Sequence, residues 1–429
     1  GKLYPVNQHG GEVYGMKCYS SLRDIPGPVD FVISAVPAHY TPQLVTDSAA
    51  KGVKAIQMFT AGFSESGDET GKQLEQQVLA LARQHGIRII GPNCMGLYCP
   101  KTRLTFHQGL PAEAGAVGYM VQSGGNAIFG IREGDSRGIH FSKVISYGNA
   151  IDLDESDYLD YLTDDPDTKL IAAYIEGVKD GRRFMEVLRR AARTKPVVVY
   201  KGGITETGMR TAASHTSSIA GHGHIWQALL AQMGAIQVGS IEELNDLLLL
   251  FTYTTPPRGR NTAIIGMGGG ASVHAVDAAA QAGLVIPVFP DEIRQRLKAV
   301  FGSGAGSIFT NPLDMYAFYR RELIQQTIQT VAESDRFDLL ILHLPLDIYI
   351  PITPQSHTLG PYVESIINLK EAIKRRTVVV LHFITSDKSK QLAHEAQSAL
   401  HRAGFPIFPS VSRAAGALDK FIKYHQRQG

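Results

Sequence analysis

His215 lies in a long segment of small and polar residues, Lys201–Gly221. The segment follows Pro196–Tyr200, an apolar run typical of a buried strand. An imidazole on a loop of small residues is exposed and mobile, so it can take up a phosphoryl group at one site and release it at another. The sequence therefore predicts His215 as the nucleophile of a phosphoryl transfer.

Two glycine-rich turns are candidate sites for the anion in such a reaction. Each turn follows a strand-like run and leads into a helical pattern, so backbone N–H groups can approach an anion at the positive end of a helix. Each helix end contributes about 0.3–1 kcal/mol. The candidate phosphate-binding residues are Ser123, Gly124, Gly125 and Asn126 in the first turn, and Gly268, Gly269, Gly270 and Ala271 in the second. The alternative is that both are ordinary tight turns.

A carboxylate follows another strand-like run. Glu176 comes just after Leu170–Tyr174. Ligand sites of open α/β sheets lie at the carboxyl ends of the strands, which is where Glu176 is expected. On position alone, an ordinary surface glutamate at a strand end is the better interpretation.

Strands and helices must alternate along the chain to position these residues. The apolar and amphipathic patterns predict βαβ units on parallel sheets. The predicted strands are Lys2–Val6, Val29–Val36, Ala55–Thr60, Ile87–Ile90, Gly118–Val121, Lys143–Ser146, Leu170–Tyr174, Val197–Tyr200, Thr262–Gly266, Leu339–Leu344 and Thr377–His382, and the first two predicted helices are Pro42–Lys51 and Gly71–His85. Thr254–Arg260 predicts a linker by its proline, glycine and charge content. We expect three α/β domains, over residues 1–110, 111–255 and 256–429.

The composition is that of a folded globular protein. The chain has 429 residues, of which 44% are hydrophobic and 19% are charged, with a net charge of +2. We therefore expect no nucleic-acid partner, and the basic run Arg182–Arg190 predicts one face of an amphipathic helix. No apolar run approaches the roughly 20 residues that span a bilayer, so we expect no membrane partner.

Cysteine and acidic patterns give no metal site. Cys18, Cys94 and Cys99 have neither the number nor the spacing of a disulfide framework or a zinc site. They fit a reducing compartment, and we expect the cytoplasm. Asp152, Asp154 and Glu155 could form a metal cluster, but they are better explained by capping and charging the first turn of a helix.

These motifs together resemble the nucleoside-diphosphate-forming acyl-CoA synthetases, the superfamily of succinyl-CoA synthetase. The segment around His215 resembles the phosphohistidine loop of the acetyl-CoA synthetases (ADP-forming), which typically ends in Ser-His-Thr-Gly, although Ser217 replaces that glycine here. Gly91–Gly96 resembles the family's Gly-Pro-Asn-Cys-x-Gly, and Asn311–Asp314 also follows the family. The matching motifs cover nearly the whole chain and fall in the family's order.

The resemblance implies an α/β fold with a Rossmann-like CoA-binding domain and two flavodoxin-like ligase domains. A run like Tyr4–Asn7 forms the second strand of the family's CoA-binding domain, so we expect the first β-α unit to be missing from this sequence. The CoA-binding residues that the resemblance implies are Val6, Asn7, Val36, Pro37, Thr60, Ala61, Gly62, Phe63, Asn93 and Cys94. A nucleophilic Cys94 is the alternative to a structural thiol, but no histidine is placed to activate it.

The resemblance also implies the roles of the catalytic residues. In the family, the glutamate that matches Glu176 hydrogen-bonds one nitrogen of the histidine that matches His215. This fixes the tautomer, leaves the other nitrogen nucleophilic and stabilises the cationic phosphohistidine. Two helix ends like those after the glycine-rich turns hold the phosphate on that histidine.

The implied reaction is acyl-CoA + phosphate + ADP ⇌ carboxylic acid + CoA + ATP, with coenzyme A as a substrate. We expect ATP or ADP and Mg²⁺ to bind to an ATP-grasp β subunit on a separate chain, within an oligomer. One alternative is a non-catalytic homologue that binds CoA or a partner protein. Another is a nicotinamide-dependent dehydrogenase, but the sequence has no Gly-x-Gly-x-x-Gly after a first strand.

Overall fold

The structure is a computed structural model of the chain. It describes residues 1–208, 223–266, 269–301, 309–314, 321–349 and 359–428. The candidate residues His215 and Gly268 therefore lie outside the described residues. The chain divides into two compact units: the first unit comprises Gly1–Arg132 and His140–Gly239, and the second unit comprises Glu133–Ile139 and Ser240–Gly429.

The first unit begins with a small α/β arrangement. Its elements are β1 (Glu12–Val13), β2 (Met16–Lys17), β3 (Phe31–Ser34), α1 (Thr41–Ala50), β4 (Ala55–Met58), α2 (Glu69–Gln84) and β5 (Arg88–Ile90). Strands β1 and β2 form an antiparallel hairpin, while β3, β4 and β5 form a parallel sheet in that order. Helix α2 begins where the side chain of Asp68 accepts a hydrogen bond from the Gly71 amide at 2.6 Å, a standard N-cap.

The remainder of the first unit is built on a six-stranded sheet. Its elements are β6 (Gly96–Tyr98), β7 (Ala114–Val121), α3 (Gly124–Ser136), β8 (Phe141–Ser146), α4 (Glu155–Asp164), β9 (Leu170–Ile175), α5 (Gly181–Thr194), β10 (Val197–Lys201), α6 (Gly223–Met233) and β11 (Ile236–Val238). The strand order is β11-β10-β9-β7-β8-β6, and only the β6–β8 pair is antiparallel. Central strands β9 and β10 are almost wholly buried, as expected for a parallel sheet covered on both faces.

Helix α5 shows how the basic run of the sequence is used. Its apolar side, with Phe184 and Leu188, is buried, so the run forms the predicted amphipathic helix. On its other side Arg190 pairs with Asp160 and Asp164 of α4. Asp154 caps α4 through hydrogen bonds from the first-turn amides, as its predicted capping role requires.

The second unit contains a five-stranded parallel sheet in the order β13-β12-β14-β15-β16. Its elements are α7 (Ile241–Tyr253), β12 (Thr262–Gly266), α8 (Gly269–Gln281), α9 (Asp291–Phe301), β13 (Leu313–Asp314), α10 (Arg321–Ala332), β14 (Leu339–Pro345), α11 (Gly360–Asn368), α12 (Lys370–Ile373), β15 (Thr377–His382), α13 (Asp387–Arg402), β16 (Ile407–Phe408) and α14 (Val411–Gln428). The apolar side chains of β12, β14 and β15 form the core of this unit with those of the flanking helices.

The predicted α/β fold with parallel sheets is confirmed, but one predicted strand is wrong. Lys2–Val6 contributes only an isolated bridge between Val6 and Tyr19. Pro5 has no N–H to donate to a neighbouring strand, so a continuous ladder of hydrogen bonds cannot form along this run. The prediction also missed the short strands β1, β2, β6, β11, β13 and β16, each of which has only two or three residues, too few to show a period.

The three-domain division stays a prediction. Residues 241–253, which it assigns to the second domain, lie in the second unit as helix α7. Among the described residues, every helix is too short or too polar to cross a membrane.

Candidate active site

Three strands of the first unit bring the candidate residues to one edge of the six-stranded sheet. Tyr174 on β9 lies between Val121 on β7 and Tyr200 on β10 in the register of the sheet. The first glycine-rich turn follows β7, Glu176 follows β9, and the segment that leads to His215 follows β10. These three features therefore share the carboxyl edge, where open α/β sheets bind their ligands.

Glu176 is held from both neighbouring strands. Its own amide and that of Gly177 donate hydrogen bonds to Oε1 of Gln122, at 2.8 and 3.2 Å. Its carbonyl oxygen accepts a hydrogen bond from Nζ of Lys201 at 2.7 Å. The hydroxyl of Tyr174 donates to Oε1 of the Glu176 carboxylate at 3.1 Å. Burial and the adjacent carboxylate raise the pKa of Tyr174, so this hydroxyl stays a donor.

Lys201 marks the base of the segment that carries His215. It is the last residue of β10 and is 1% exposed. Its ammonium also donates to the Gly202 carbonyl and lies 5.3 Å from the centre of the Trp226 ring, a cation–π distance. Burial lowers the pKa of Lys201 to about 8, against the opposing effect of Glu176.

In the first glycine-rich turn, Gly124 is required for close packing, whereas Gly125 borders open space. A β-carbon on Gly124 would lie 2.6 Å from Cγ of Met95, which is too close for any side chain. A β-carbon on Gly125 would meet no described atom within 4 Å. Ser123 caps α3 weakly, with its hydroxyl 3.4 Å from the Asn126 amide. The first turn of α3 therefore borders open space at Gly125.

A cavity of about 510 Å³ connects this turn with the N-terminal part of the first unit. Its lining residues are Ala35, Val36, Pro37, Phe59, Thr60, Ala61, Asn93, Cys94, Met95, Gly124 and Gly125. Six residues that the sequence assigned to CoA binding and two assigned to phosphate binding thus line one cavity. A thioester bound there would lie beside the glycine-rich turn.

Four other residues assigned to CoA binding are not in this lining. Phe63 is buried in the core of the N-terminal part. Val6 and Asn7 pair with Tyr19 through their backbones. Gly62 has a φ of 102°, which glycine adopts without strain, and its amide donates to Glu65.

Glu65 and Asn149 shape the wall of the cavity, although sequence reasoning did not select either. The carboxylate of Glu65 accepts hydrogen bonds from the Gly62 and Phe63 amides and from Nδ2 of Asn149. Oδ1 of Asn149 in turn lies 3.4 Å from Nδ2 of Asn93, which lines the cavity. Neither residue lies in a glycine-rich motif, so only their contacts in the fold reveal them.

Cys94 is suited to packing rather than to nucleophilic attack. The residue is buried, and burial raises the pKa of its thiol to about 12. The thiol contacts the Met58 carbonyl oxygen at 3.4 Å. A thiol with this pKa is almost fully protonated at neutral pH, so the structural alternative fits better than the nucleophilic one.

The second unit carries the other glycine-rich turn. Helix α8 begins at Gly269, where a β-carbon would lie 3.6 Å from Oδ2 of Asp314 on β13. A β-carbon on Gly270 would meet no described atom within 4 Å. Ala271 follows in the first turn of the helix. The described part of this turn therefore also borders open space at Gly270, at the carboxyl end of β12.

Glu155 is a buried carboxylate whose ionisation should make stability depend on pH. Burial raises its pKa from 4.5 to about 7, although Oε1 accepts a hydrogen bond from the Lys179 amide at 2.6 Å. The folded state therefore keeps a proton that the unfolded state loses, so stability falls as pH rises from about 5 to 8. We expect the loss to reach about 3 kcal/mol in wild type and to be smaller in Glu155→Gln.

Urea unfolding at pH 5 and pH 8 checks this prediction. Trp226, the only tryptophan of the sequence, lies in the first unit and reports its unfolding by fluorescence. Glu186→Gln, which removes an exposed carboxylate from α5, controls for the loss of one charge. An identical pH dependence in wild type and Glu155→Gln would contradict the prediction.

Comparisons with known proteins show the family to which the chain belongs. Residues 1–100 match the CoA binding domain family, and residues 114–251 match the succinyl-CoA ligase like flavodoxin domain family. The subunit alpha of acetate–CoA ligase [ADP-forming] II from Pyrococcus furiosus is 34% identical, with 100% of this chain and 91% of that protein covered. This chain belongs to the ADP-forming acetate–CoA ligase family. The resemblance stated from the sequence is thereby confirmed.

Other members of the ADP-forming acetate–CoA ligase family match over the same span. Acetate–CoA ligase [ADP-forming] I from Archaeoglobus fulgidus is 38% identical over 99% of this chain, which spans 58% of that longer protein. The acetyl-coenzyme A synthetase 1 of Candidatus Korarchaeum cryptofilum, solved with phosphate and ADP, has a TM-score of 0.83 and 29% identity, covering 100% of this chain and 89% of that one.

Membership in the ADP-forming acetate–CoA ligase family makes the chain an enzyme of the acid–thiol ligase class. The catalytic interpretation is supported over the non-catalytic homologue, because the relatives are named as ligases. The dehydrogenase alternative does not apply to a member of this family.

Proposed function

We propose that the chain interconverts acyl-CoA, phosphate and ADP with a carboxylic acid, CoA and ATP through a phosphohistidine at His215. The observation that carries the proposal is the shared carboxyl edge of β7, β9 and β10. There Glu176, the base of the His215 segment and the turn at Gly125, which lines the 510 Å³ cavity, follow neighbouring strands. A thioester in the cavity and a phosphate on the turn would be adjacent.

The proposed chemistry runs in three steps. A phosphate oxygen attacks the thioester carbonyl, the C–S bond breaks, and CoA leaves as a thiolate while an acyl phosphate forms. A ring nitrogen of His215 then attacks the phosphorus, and the P–O bond to the acyl group breaks to release the carboxylate. The phosphohistidine finally gives its phosphoryl group to ADP. Positioning and charge stabilisation supply the catalysis in such transfers.

Glu176 and the glycine-rich turns would support the histidine step. A carboxylate that accepts a hydrogen bond from one ring nitrogen leaves the other nitrogen nucleophilic and stabilises the positive charge of phosphohistidine. The amide of Gly125 would hold the phosphate at the start of α3, joined by that of Asn126 in place of its weak bond to the Ser123 hydroxyl. By the same argument, the amides of Gly269, Gly270 and Ala271 would hold an anion at the start of α8.

The nucleotide step would use a partner chain. We propose an ATP-grasp β subunit that binds ADP or ATP with Mg²⁺ and assembles with this chain into an oligomer. The name of the Pyrococcus furiosus relative, a subunit alpha, supports a partner subunit. The three free cysteines Cys18, Cys94 and Cys99 support a reducing compartment, for which we propose the cytoplasm.

The half-reaction without nucleotide tests the proposal. The chain is incubated with inorganic phosphate and a panel of acyl-CoA thioesters, and its intact mass is measured. We expect one phosphoryl increment and free CoA with the matching thioester in wild type, and no increment in His215→Ala. If wild type binds CoA but no thioester yields an increment, the proposal is wrong and the binding homologue replaces it.

Gly125→Ala should weaken phosphate use without harming the fold. The new β-carbon would meet no described atom, but it would occupy the space through which an anion reaches the amides of α3. Loss of one donor to a transferring group costs about 10²–10³-fold, and we expect partial obstruction to raise the KM for phosphate by about tenfold or more. The measurement is phosphoryl uptake at several phosphate concentrations.

Gly181→Ala is the matched control for this change. Gly181 begins α5, and a β-carbon there would also meet no described atom within 4 Å. Both variants should unfold at the wild-type temperature or above, because alanine is the better helix former. A wild-type KM for phosphate in Gly125→Ala would exclude this turn as the phosphate site.

A further inference from the structure

Two buried polar side chains around Glu176 have no part in the proposed reaction. Gln122 is the residue just after β7, and Lys201 ends β10. Both are almost fully buried, at 3% and 1% exposure. Neither lies in the cavity lining, so neither is placed to touch the thioester.

Their hydrogen bonds converge on the backbone of one residue. Oε1 of Gln122 accepts from the Glu176 amide at 2.8 Å, and Nζ of Lys201 donates to the Glu176 carbonyl at 2.7 Å. Glu176 comes after the last residue of β9, so the ladder of the sheet no longer fixes it. Side chains from the two flanking strands replace that ladder.

We propose that Gln122 and Lys201 are positioning residues that clamp the backbone of Glu176 and thereby hold its carboxylate in line for His215. The inference rests on the proposed function. It goes beyond it, since it assigns roles to two residues that touch neither substrate nor the reacting atoms.

Each side chain also ties Glu176 to another part of the site. Gln122 directly precedes the glycine-rich turn, so the same residue sets the distance between Glu176 and the amides that would hold phosphate. The ammonium of Lys201 also donates to Gly202, the first residue after β10. One cation therefore joins the end of β9 to the start of the segment that carries His215.

Burying Lys201 has a cost that a packing role alone does not explain. Transfer of an ammonium away from water is unfavourable, and burial lowers the pKa of this group to about 8. An apolar side chain would fill the same space beside Trp226 without that cost. An apolar side chain, however, cannot donate hydrogen bonds to the Glu176 and Gly202 carbonyl oxygens, as the ammonium does.

Lys195 offers a matched control at the other end of the same strand. Its Nζ donates to the Leu162 and Asp165 carbonyl oxygens at 2.8 and 2.7 Å. Lys195→Met and Lys201→Met thus each remove an ammonium and two carbonyl contacts next to β10. Only Lys201 contacts Glu176, and Lys201 is also the more deeply buried of the two and lies over Trp226.

The experiment measures single-turnover phosphoryl uptake by intact mass, with inorganic phosphate and the thioester that labels wild type. We expect Lys201→Met and Gln122→Met to slow uptake by about 10- to 100-fold, the usual cost of losing a residue that orients a reacting group. The KM for the thioester should stay at the wild-type value, because the cavity lining is intact. Lys195→Met should react at the wild-type rate.

Hydrogen exchange provides a second measurement if Lys201→Met folds poorly. In Gln122→Met the amides of Glu176 and Gly177 lose their hydrogen-bond acceptor, so they should exchange faster. The amides of β9, which precede them, should stay protected.

The outcomes separate the inference from the proposed function. Unchanged uptake in both Lys201→Met and Gln122→Met, or an equal loss of uptake in Lys195→Met, would overturn the positioning role. The proposed function would still stand in either case, because wild type would be phosphorylated. No phosphoryl uptake by wild type would overturn both.

Discussion

Replacing Glu176 with glutamine is expected to slow phosphoryl uptake by His215 by about 10²–10⁴-fold. Glutamine has the same shape and keeps an oxygen to accept the hydrogen bond from Tyr174, so the fold should not change. It cannot carry the negative charge that stabilises a cationic phosphohistidine. The amide can also present an N–H to the imidazole and so favour the wrong tautomer. Single-turnover intact mass with phosphate and the active thioester measures the effect.

Glu155→Gln is the matched control for this prediction. It is the same substitution at another buried carboxylate of the first unit, at the start of α4. We expect it to react at the wild-type rate at pH 7. If Glu176→Gln reacted as fast as Glu155→Gln, the carboxylate would have no role in the histidine step. If both reacted equally slowly, a general loss of negative charge would explain the effect instead.

The parts of the candidate site that follow parallel strands could be predicted from the sequence. Glu176 and the turn at Ser123–Asn126 each follow an apolar run, and parallel strands place such residues at one edge whatever their separation in sequence. For the same reason the segment that leads to His215 could be assigned to this edge. The strand order puts β9 between β7 and β10, which brings the three together.

The residues that the sequence did not reveal act through long-range contacts. Gln122 and Glu176 are 54 positions apart, and Glu65 and Asn149 are 84 apart. A glutamine after a strand or a glutamate in a loop has many possible partners, and only the packed fold selects one. Lys201 looks like the polar end of a strand in the sequence, yet it is buried because α6 covers it with Trp226.

The Phe63 assignment shows a different limit. Phe63 was assigned to CoA binding because the segment that contains it matches a segment of the family. Such a segment can line a pocket although some of its side chains point elsewhere. Thr60 and Ala61 line the cavity, whereas the side chain of Phe63 fills the core beneath α2 and β4. Resemblance located the segment correctly, but the direction of each side chain depends on the local backbone, which turns at Gly62.

Asp246→Ala should destabilise the second unit by about 3–5 kcal/mol, the cost of removing one partner from a buried ion pair. The Asp246 side chain on α7 is 3% exposed and pairs with Arg137 and Arg413. Nε of Arg413 lies 2.7 Å from Oδ2, and its second nitrogen lies 2.8 Å from Oδ1. Arg137 is itself buried, so among the described carboxylates the variant would leave its guanidinium with only that of Glu133, at 4.0 Å.

Calorimetry separates this transition from that of the first unit, which Trp226 fluorescence follows. Asp419→Ala is the control, because Asp419 also lies between two cations of the second unit, Arg260 and Lys423, but is 19% exposed. Water can solvate its partners, so we expect a loss of about 1 kcal/mol or less.

The double variant Asp246→Leu/Arg137→Met should recover part of the lost stability, since it removes the buried cation together with its partner. If Asp246→Ala cost no more than Asp419→Ala, the Arg137–Asp246–Arg413 cluster would be too well hydrated to stabilise this unit.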